Sequence, residues 1–245
     1  MRPLAAARSL SLIDWKSIRR DPMLRWLILY PVAIAFLLRW LTPVITASLE
    51  SRFGFDLRPY YVLIMSFALL IMPGLCGMVI GFLLLDQRDD RTLTALQVTP
   101  LSLGGYLSYR LAMPMVLSLL FTLLLIPLAG LVQVGFWALL ASALSAAPLA
   151  PLYALFLASF ASNKVQGFAL AKGVGVLMIP PLVAYFVASR WQLAFGLAPH
   201  YWPAKVFWMV HGREPHVLLF ILIGLAYQGL LILALMRRFD RVMHS

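Results

Sequence analysis

The chain has 245 residues, of which 62% are hydrophobic and only 12% charged, too few charges to cover a soluble protein of this size. Lys and Arg outnumber Asp and Glu by 20 to 9, but no basic soluble stretch exists to carry nucleic acid. That surplus instead suits orientation in a bilayer and contact with anionic headgroups. The apolar runs are continuous rather than alternating, which predicts membrane helices of about 20 residues and not barrel strands.

Residues 4–20 predict a short helix on the membrane surface. Arg8, Lys16, Arg19 and Arg20 share one arc of its wheel with Leu4, Trp15 and Ile18 beside it, while Leu12 and Asp14 interrupt the pattern. These charges precede any signal-like apolar run, so the first span is expected to remain as an anchor. Asp21-Pro22 turns the chain into a first span over 23–46, with Arg39-Trp40 as an interfacial anchor near its far end. The polar stretch 47–58 (Glu50, Arg52, Asp56, Arg58) reads as an external loop. A second span over 59–85 carries Gly77 and Gly81, four residues apart, a spacing that admits a close neighbouring helix. The single cysteine, Cys76, lies in the same run, so no internal disulfide can form.

A charged segment over 86–105 leads to a third span over 106–128, and a tight turn at 130–135 to a fourth over 136–160. Ser162-Asn163-Lys164 turns the chain into a fifth span over 167–188, bent at Pro180-Pro181. Lys172 sits about a turn and a half into it, within reach of the interface. Residues 190–216 are aromatic and proline-punctuated (Pro199, Tyr201, Trp202, Pro203, Trp208) and read as interfacial or re-entrant structure. A sixth span over 217–236 precedes a short basic tail. Arg39, Arg52, Arg58, Arg190, Lys205 and Arg213 fall on one side of this layout and the other Lys and Arg residues on the opposite side. The positive-inside rule makes that opposite side the cytoplasm and places both termini there. The expected fold is an all-α integral membrane protein: six transmembrane helices, an N-terminal amphipathic surface helix and a re-entrant segment before the last helix, in one transmembrane domain over 1–245.

Little here can do chemistry inside a bilayer. No Asp or Glu falls in mid-span, and no nucleophile and base share a depth, so proton-coupled carriers and intramembrane hydrolases lack their expected parts. His200, His211 and His216 do not have zinc spacing, and no metal site is expected. No G-x-x-x-x-G-K-[ST] loop occurs; Leu101-Ser102-Leu103-Gly104-Gly105 reads as a helix break. Transport by this chain would therefore draw its energy from a partner. The segment suited to meet one is 86–100, where Asp86, Arg88, Asp89, Asp90, Arg91 and Thr92 lead into an apolar ridge of Leu93 and Leu96, closed by Pro100. One helical turn cannot hold itself in water, so the ridge suits docking into a groove of another protein.

The run Arg91-Thr92-Leu93-x-x-Leu96-x-x-Thr99-Pro100, following mixed charges at the end of the second span, resembles the coupling region of ABC type 2 exporter permeases. Arg91 and Thr94 stand where that family usually has Gly and Glu. Asn163-Lys164-x-x-Gly167-Phe168 and Pro199-His200-Tyr201-Trp202-Pro203-x-Lys205 are similar to the fluoroquinolone-type drug export permeases within it. The resemblance implies a half-transporter of a bacterial cell membrane. Two permease chains, identical or related, would pair through spans 1 and 5 and dock on two separately encoded ABC ATPase subunits. The coupling residues would be Asp86, Arg88, Asp89, Asp90, Arg91, Thr92, Leu93, Leu96 and Pro100, with Trp15, Lys16, Arg19 and Arg20 of the surface helix beside the ATPase. The chain itself would be no enzyme and would hold no cofactor; ATP and Mg would act in the partner. The implied cargo is a drug-like amphiphile leaving the cytoplasm, a route to antibiotic resistance. Lipid, peptide or haem-like cargo is the alternative within the class, and a non-transport scaffold the alternative outside it.

Overall fold

The computed structural model describes residues 22–89 and 103–243. Regular structure among them is helical: α1 (Pro22–Phe53), α2 (Tyr61–Asp89), α3 (Leu103–Ala129), α4 (Phe136–Ala146), α5 (Leu149–Phe160), α6 (Lys164–Val174), α7 (Ile179–Tyr185), α8 (Tyr201–His211) and α9 (Val217–Met243). Three 3-10 segments join them at Arg58–Tyr60, Gly175–Met178 and Arg190–Leu197. Six stretches are long and apolar enough to cross a bilayer: Leu29–Phe53, Arg58–Arg88, Arg110–Ala129, Phe136–Phe160, Lys164–Tyr185 and Val217–Val242. The chain is a multi-pass membrane protein.

Packing separates a core from a periphery. The apolar windows of α2 and of α4–α5 are each 78% buried, whereas those of α1, α6–α7 and α9 are 17%, 22% and 11% buried. The core contact is α2 against α5, where small residues let the backbones meet. A Cβ on Gly77 would lie 2.2 Å from the carbonyl oxygen of Ala150, and one on Gly81 3.0 Å from Leu157. Met65, Leu69, Leu70 and Met72 of α2 continue this core towards Leu125 and Ile126 of α3 and Tyr201 and Phe207 of α8. The Arg39 guanidinium donates to the Leu128 carbonyl at 3.1 Å and ties α1 to the last turn of α3.

Several boundaries differ from those read in the sequence, for definite reasons. The first helix passes 46 and ends at Phe53, where Gly54 turns left-handed (φ 63°) and donates to the Glu50 carbonyl at 3.1 Å. The external loop over 47–58 is thus largely helix. The third helix starts at Leu103, so Gly104-Gly105 lies in its first turn and does not break it. The last helix runs past 236 to Met243, and the expected tail contributes Phe239, fully buried among Ile80, Leu84, Leu111 and Leu155. Hydropathy marks where lipid ends, not where a helix ends.

Two spans are not continuous helices. Phe136–Phe160 breaks at 147–148, because Pro148 has no N–H to donate and its ring crowds the preceding turn. The buried Gln228 donates to the Ser145 carbonyl beside this break at 3.1 Å. In the fifth span the irregularity falls at Gly175–Met178, one turn before Pro180-Pro181, since proline disturbs the carbonyl four residues earlier. That helix also ends at Tyr185 rather than at 188.

The 3-10 segment Arg190–Leu197 is joined to α8 by a turn at 198–200. The Tyr227 hydroxyl, about three turns into α9, donates to the Leu197 carbonyl at 2.5 Å. Trp202 Nε1 donates to the Gly196 carbonyl at 2.9 Å, and its Cβ sits where a side chain at Gly224 would stand. Tyr185 closes the outer part with a T-shaped contact on Trp208, ring centroids 5.1 Å apart. The predicted surface helix over 4–20 lies outside the described residues.

Candidate functional site

The last turn of α2 holds the first residues of the charged segment. Arg88 Nη1 donates to the Ala158 carbonyl at 3.1 Å and Nη2 to the Ala161 carbonyl at 2.7 Å. Carbonyls in the last turn of a helix lack partners within it, and a cation there also matches the helix dipole. Asp86 pairs with Lys164 at 2.8 Å, on the first residue of α6. These two side chains are 37% and 55% exposed, so the pair fixes register more than it adds stability.

The turn between them is organised by its own sequence. The Asn163 side chain caps α6 by accepting from the Gln166 amide at 3.0 Å, and Gln166 Oε1 accepts from the Ser162 amide at 2.7 Å. This reciprocal arrangement is a close relative of the capping box. A Cβ on Gly167 would lie 2.9 Å from Phe82, whose ring meets Phe168 with centroids 4.5 Å apart. The end of α2, the end of α5 and the start of α6 are therefore one bonded junction. α9 joins it through the Arg238 guanidinium, 3.9 Å above the Phe160 ring, and Ser159 Oγ, which donates to the Leu235 carbonyl at 3.5 Å.

Of the residues singled out from the sequence, Asp86 and Arg88 come together in this junction, and Asp89 ends α2. Asp90, Arg91, Thr92, Leu93, Leu96 and Pro100 lie outside the described residues, as do Trp15, Lys16, Arg19 and Arg20. Lys172 is exposed. The three histidines are not brought together: His211 and His216 are exposed, and His200 is buried. Among the described residues no group of three His, Cys, Asp or Glu side chains could hold a metal ion.

His200 instead meets a residue that sequence reasoning missed. Its Nε2 lies 2.5 Å from the Tyr153 hydroxyl, and the rings cross edge-on. Both flank a cavity of about 300 Å³ between α5, the fifth span and α9, whose other side chains, among them Leu152, Phe156, Leu231 and Leu235, are all hydrocarbon. The available signal was a single tyrosine within the apolar fourth span and a histidine in the proline-rich segment, each polar where hydrocarbon is expected.

A bundle of six apolar helices with a charged junction at one end and a buried, mostly apolar cavity is the frame of a membrane permease. The chain belongs to the family described as fluoroquinolones export permease protein Rv2686c-like, which matches residues 14–236. It is 36% identical over 251 aligned positions to the fluoroquinolones export permease protein Rv2686c of Mycobacterium tuberculosis (strain ATCC 25618 / H37Rv). Identity to the fluoroquinolones export permease protein MT2760 of strain CDC 1551 / Oshkosh is the same. Each alignment covers 99% of this chain and 98% of the relative. No solved structure matches.

Proposed function

We propose that this chain is the membrane half of an ATP-driven drug exporter, moving an amphiphilic compound of the fluoroquinolone kind out of a bacterial cell. The observation that carries the reading is the junction at the end of α2. Asp86 and Arg88, which precede residues 90–102 in the sequence, are bonded to the start of α6 and the end of α5. A partner pulling on that segment would move the fourth and fifth spans together. In this reading the segment, with Asp90, Arg91, Thr92, Leu93, Leu96 and Pro100, docks in a separately encoded ABC ATPase. ATP and Mg act there, and this chain catalyses nothing. The surface helix over 4–20 lies beside that contact.

Further parts of the reading follow from the same frame. The junction faces the cytoplasm with both termini, and residues 190–200 re-enter the membrane, supported by the depth at which Leu197 meets Tyr227. A second permease chain pairs through spans 1 and 5, whose faces carry exposed Leu37, Val44, Val176 and Ile179. Differential affinity of the ATPases for the two arrangements drives the spans between inward and outward states.

Accumulation of a fluoroquinolone in the native cells tests this reading. Deleting the chain should raise accumulation; the wild-type chain should restore it, and a chain carrying Leu93→Glu and Leu96→Glu should not. Equal accumulation in all strains would remove drug export. Restoration by the double variant would favour a scaffold, which does not need the ridge.

A further inference from the structure

The turn that ends α8 holds a cation at a strained position. The Glu214 amide donates to the Met209 carbonyl at 2.8 Å and the Arg213 amide to the Val210 carbonyl at 3.3 Å, the paired bonds of a Schellman motif. That motif needs a left-handed residue between them, and Arg213 supplies it with φ 53°. Glycine usually fills the position, because a Cβ there is strained. Strained residues of this kind cluster at sites that clamp ligands.

Arg213 does not face its surroundings alone. Together with Arg39 of α1 it lines an open cavity of about 690 Å³ beside the turn between the third and fourth spans. The Arg39 guanidinium lies against that turn, Nη1 being 3.7 Å from where a Cβ on Gly130 would stand. Its bond to the Leu128 carbonyl uses one of five N–H donors. No carboxylate lines the cavity, and Glu214, next to Arg213 in sequence, turns to Lys205 at 3.6 Å instead. Two like charges sharing a cavity without a counter-charge repel, and an anion between them reverses the sign of that interaction. The rest of the wall is Gln133 and apolar side chains that include Ile126, Val132 and Leu139. Depth narrows the choice of anion. Trp40 beside Arg39, and Phe136 and Trp137 just past the turn, are 67%, 62% and 79% exposed, aromatic rings of the kind that sit at headgroup level.

We propose that this cavity is a binding site for an anionic phospholipid, its phosphodiester paired with Arg39 and Arg213 and its hydrocarbon resting on the apolar wall. Guanidinium forks suit phosphate oxygens, which accept two hydrogen bonds side by side. With no carboxylate in the lining to meet an ammonium head, a lipid of net negative charge binds better than a zwitterion. The site draws on α1, the turn at 130–135 and the turn after α8, so an occupant joins three parts of one chain. It depends neither on the cargo nor on the ATPase partner.

The test titrates the full chain in mild detergent with dioleoyl phosphatidylglycerol or dioleoyl phosphatidylcholine and counts bound lipids by native mass spectrometry. The first phosphatidylglycerol should bind about tenfold more tightly than phosphatidylcholine, as one or two charge-assisted bonds imply. Arg213→Gly should weaken phosphatidylglycerol about tenfold and yet melt no lower than the wild type, because glycine relieves the left-handed strain. That pairing of lost binding with kept stability separates a ligand contact from a structural one. Arg39→Gln should weaken the same lipid, while Arg52→Gln, an exposed arginine outside the cavity, should change it less than about twofold. Octyl phosphate, a soluble amphiphile with a phosphate head, should bind at least about tenfold more weakly, for want of most of the hydrocarbon. Equal affinity for the two lipids, or undiminished phosphatidylglycerol binding in Arg213→Gly, would overturn the proposal. A loss in Arg52→Gln as large as that in Arg213→Gly would do so too, by showing diffuse surface charge, and octyl phosphate binding as tightly as the lipid would contradict a lipid occupant.

Discussion

Arg88 and Ala161 lie 73 residues apart in sequence, and the guanidinium of one donates to the carbonyl of the other at 2.7 Å. With the second bond to Ala158, a single cation completes the last turn of α5. Arg88→Ala should lower unfolding stability by on the order of 2 kcal/mol, the usual cost of losing hydrogen bonds to a charged donor. Arg88→Lys, which keeps the charge and loses the fork, should recover part of that. Asp86→Asn should cost less than about 1 kcal/mol, because its pair with Lys164 is solvated. Thermal melts in mild detergent rank the three. An Asp86 variant as damaging as the Arg88 one would show that the junction is held by the ion pair instead.

Close approach of α2 and α5 predicts a gradient among glycine substitutions. Gly77→Ala drives a methyl into a backbone oxygen 2.2 Å away, which no side-chain rotation relieves. It should cost at least about 2 kcal/mol. Gly229→Ala, on α9 with nothing within 4 Å of the new methyl, should change stability by less than about 0.5 kcal/mol or raise it slightly. The same melts decide. Equal effects at the two positions would mean that α2 and α5 do not pack as described.

Orientation is checked by labelling. With Cys76 replaced by Ala, single cysteines at Gly135 and Ser162 probe opposite ends of the fourth span, and both positions are exposed. In intact cells an impermeant maleimide should label Gly135→Cys and reach Ser162→Cys only after permeabilisation. The reverse pattern would invert the chain and put the Arg88 junction on the face away from a cytoplasmic ATPase.

The number and order of the spans were legible because each needs a long apolar run, and nothing else in this chain provides one. Which spans form the core was not. The second and sixth spans have equal mean hydropathy, yet one is 78% buried and the other 11%. Lipid is as apolar as a protein interior, so hydropathy carries no inside–outside contrast for a membrane helix. The spacing of Gly77 and Gly81 did announce a close neighbour, while its identity as α5 depends on Ala150 and Leu157, many residues away. Helix ends ran past the expected limits at Phe53 and Met243 for a related reason: polar residues leave the bilayer without leaving the helix. Ser162-Asn163-Lys164 was legible as a turn, while its cap depends on Gln166, a position the sequence did not single out. Tyr153 and His200 could not have been paired from the sequence, since they lie 47 residues apart and meet only through the turn at 198–200.

The central claim is that this chain is driven by a separate ATPase docked beyond Arg88, and co-purification addresses it most directly. The tagged chain, taken from native membranes in mild detergent, should bring down a cassette ATPase in fixed proportion with ATPase activity. Asp90→Lys or Leu93→Glu should abolish the association without changing the melting temperature of the chain. A homogeneous chain with no ATPase, or an ATPase retained by both variants, would contradict the account.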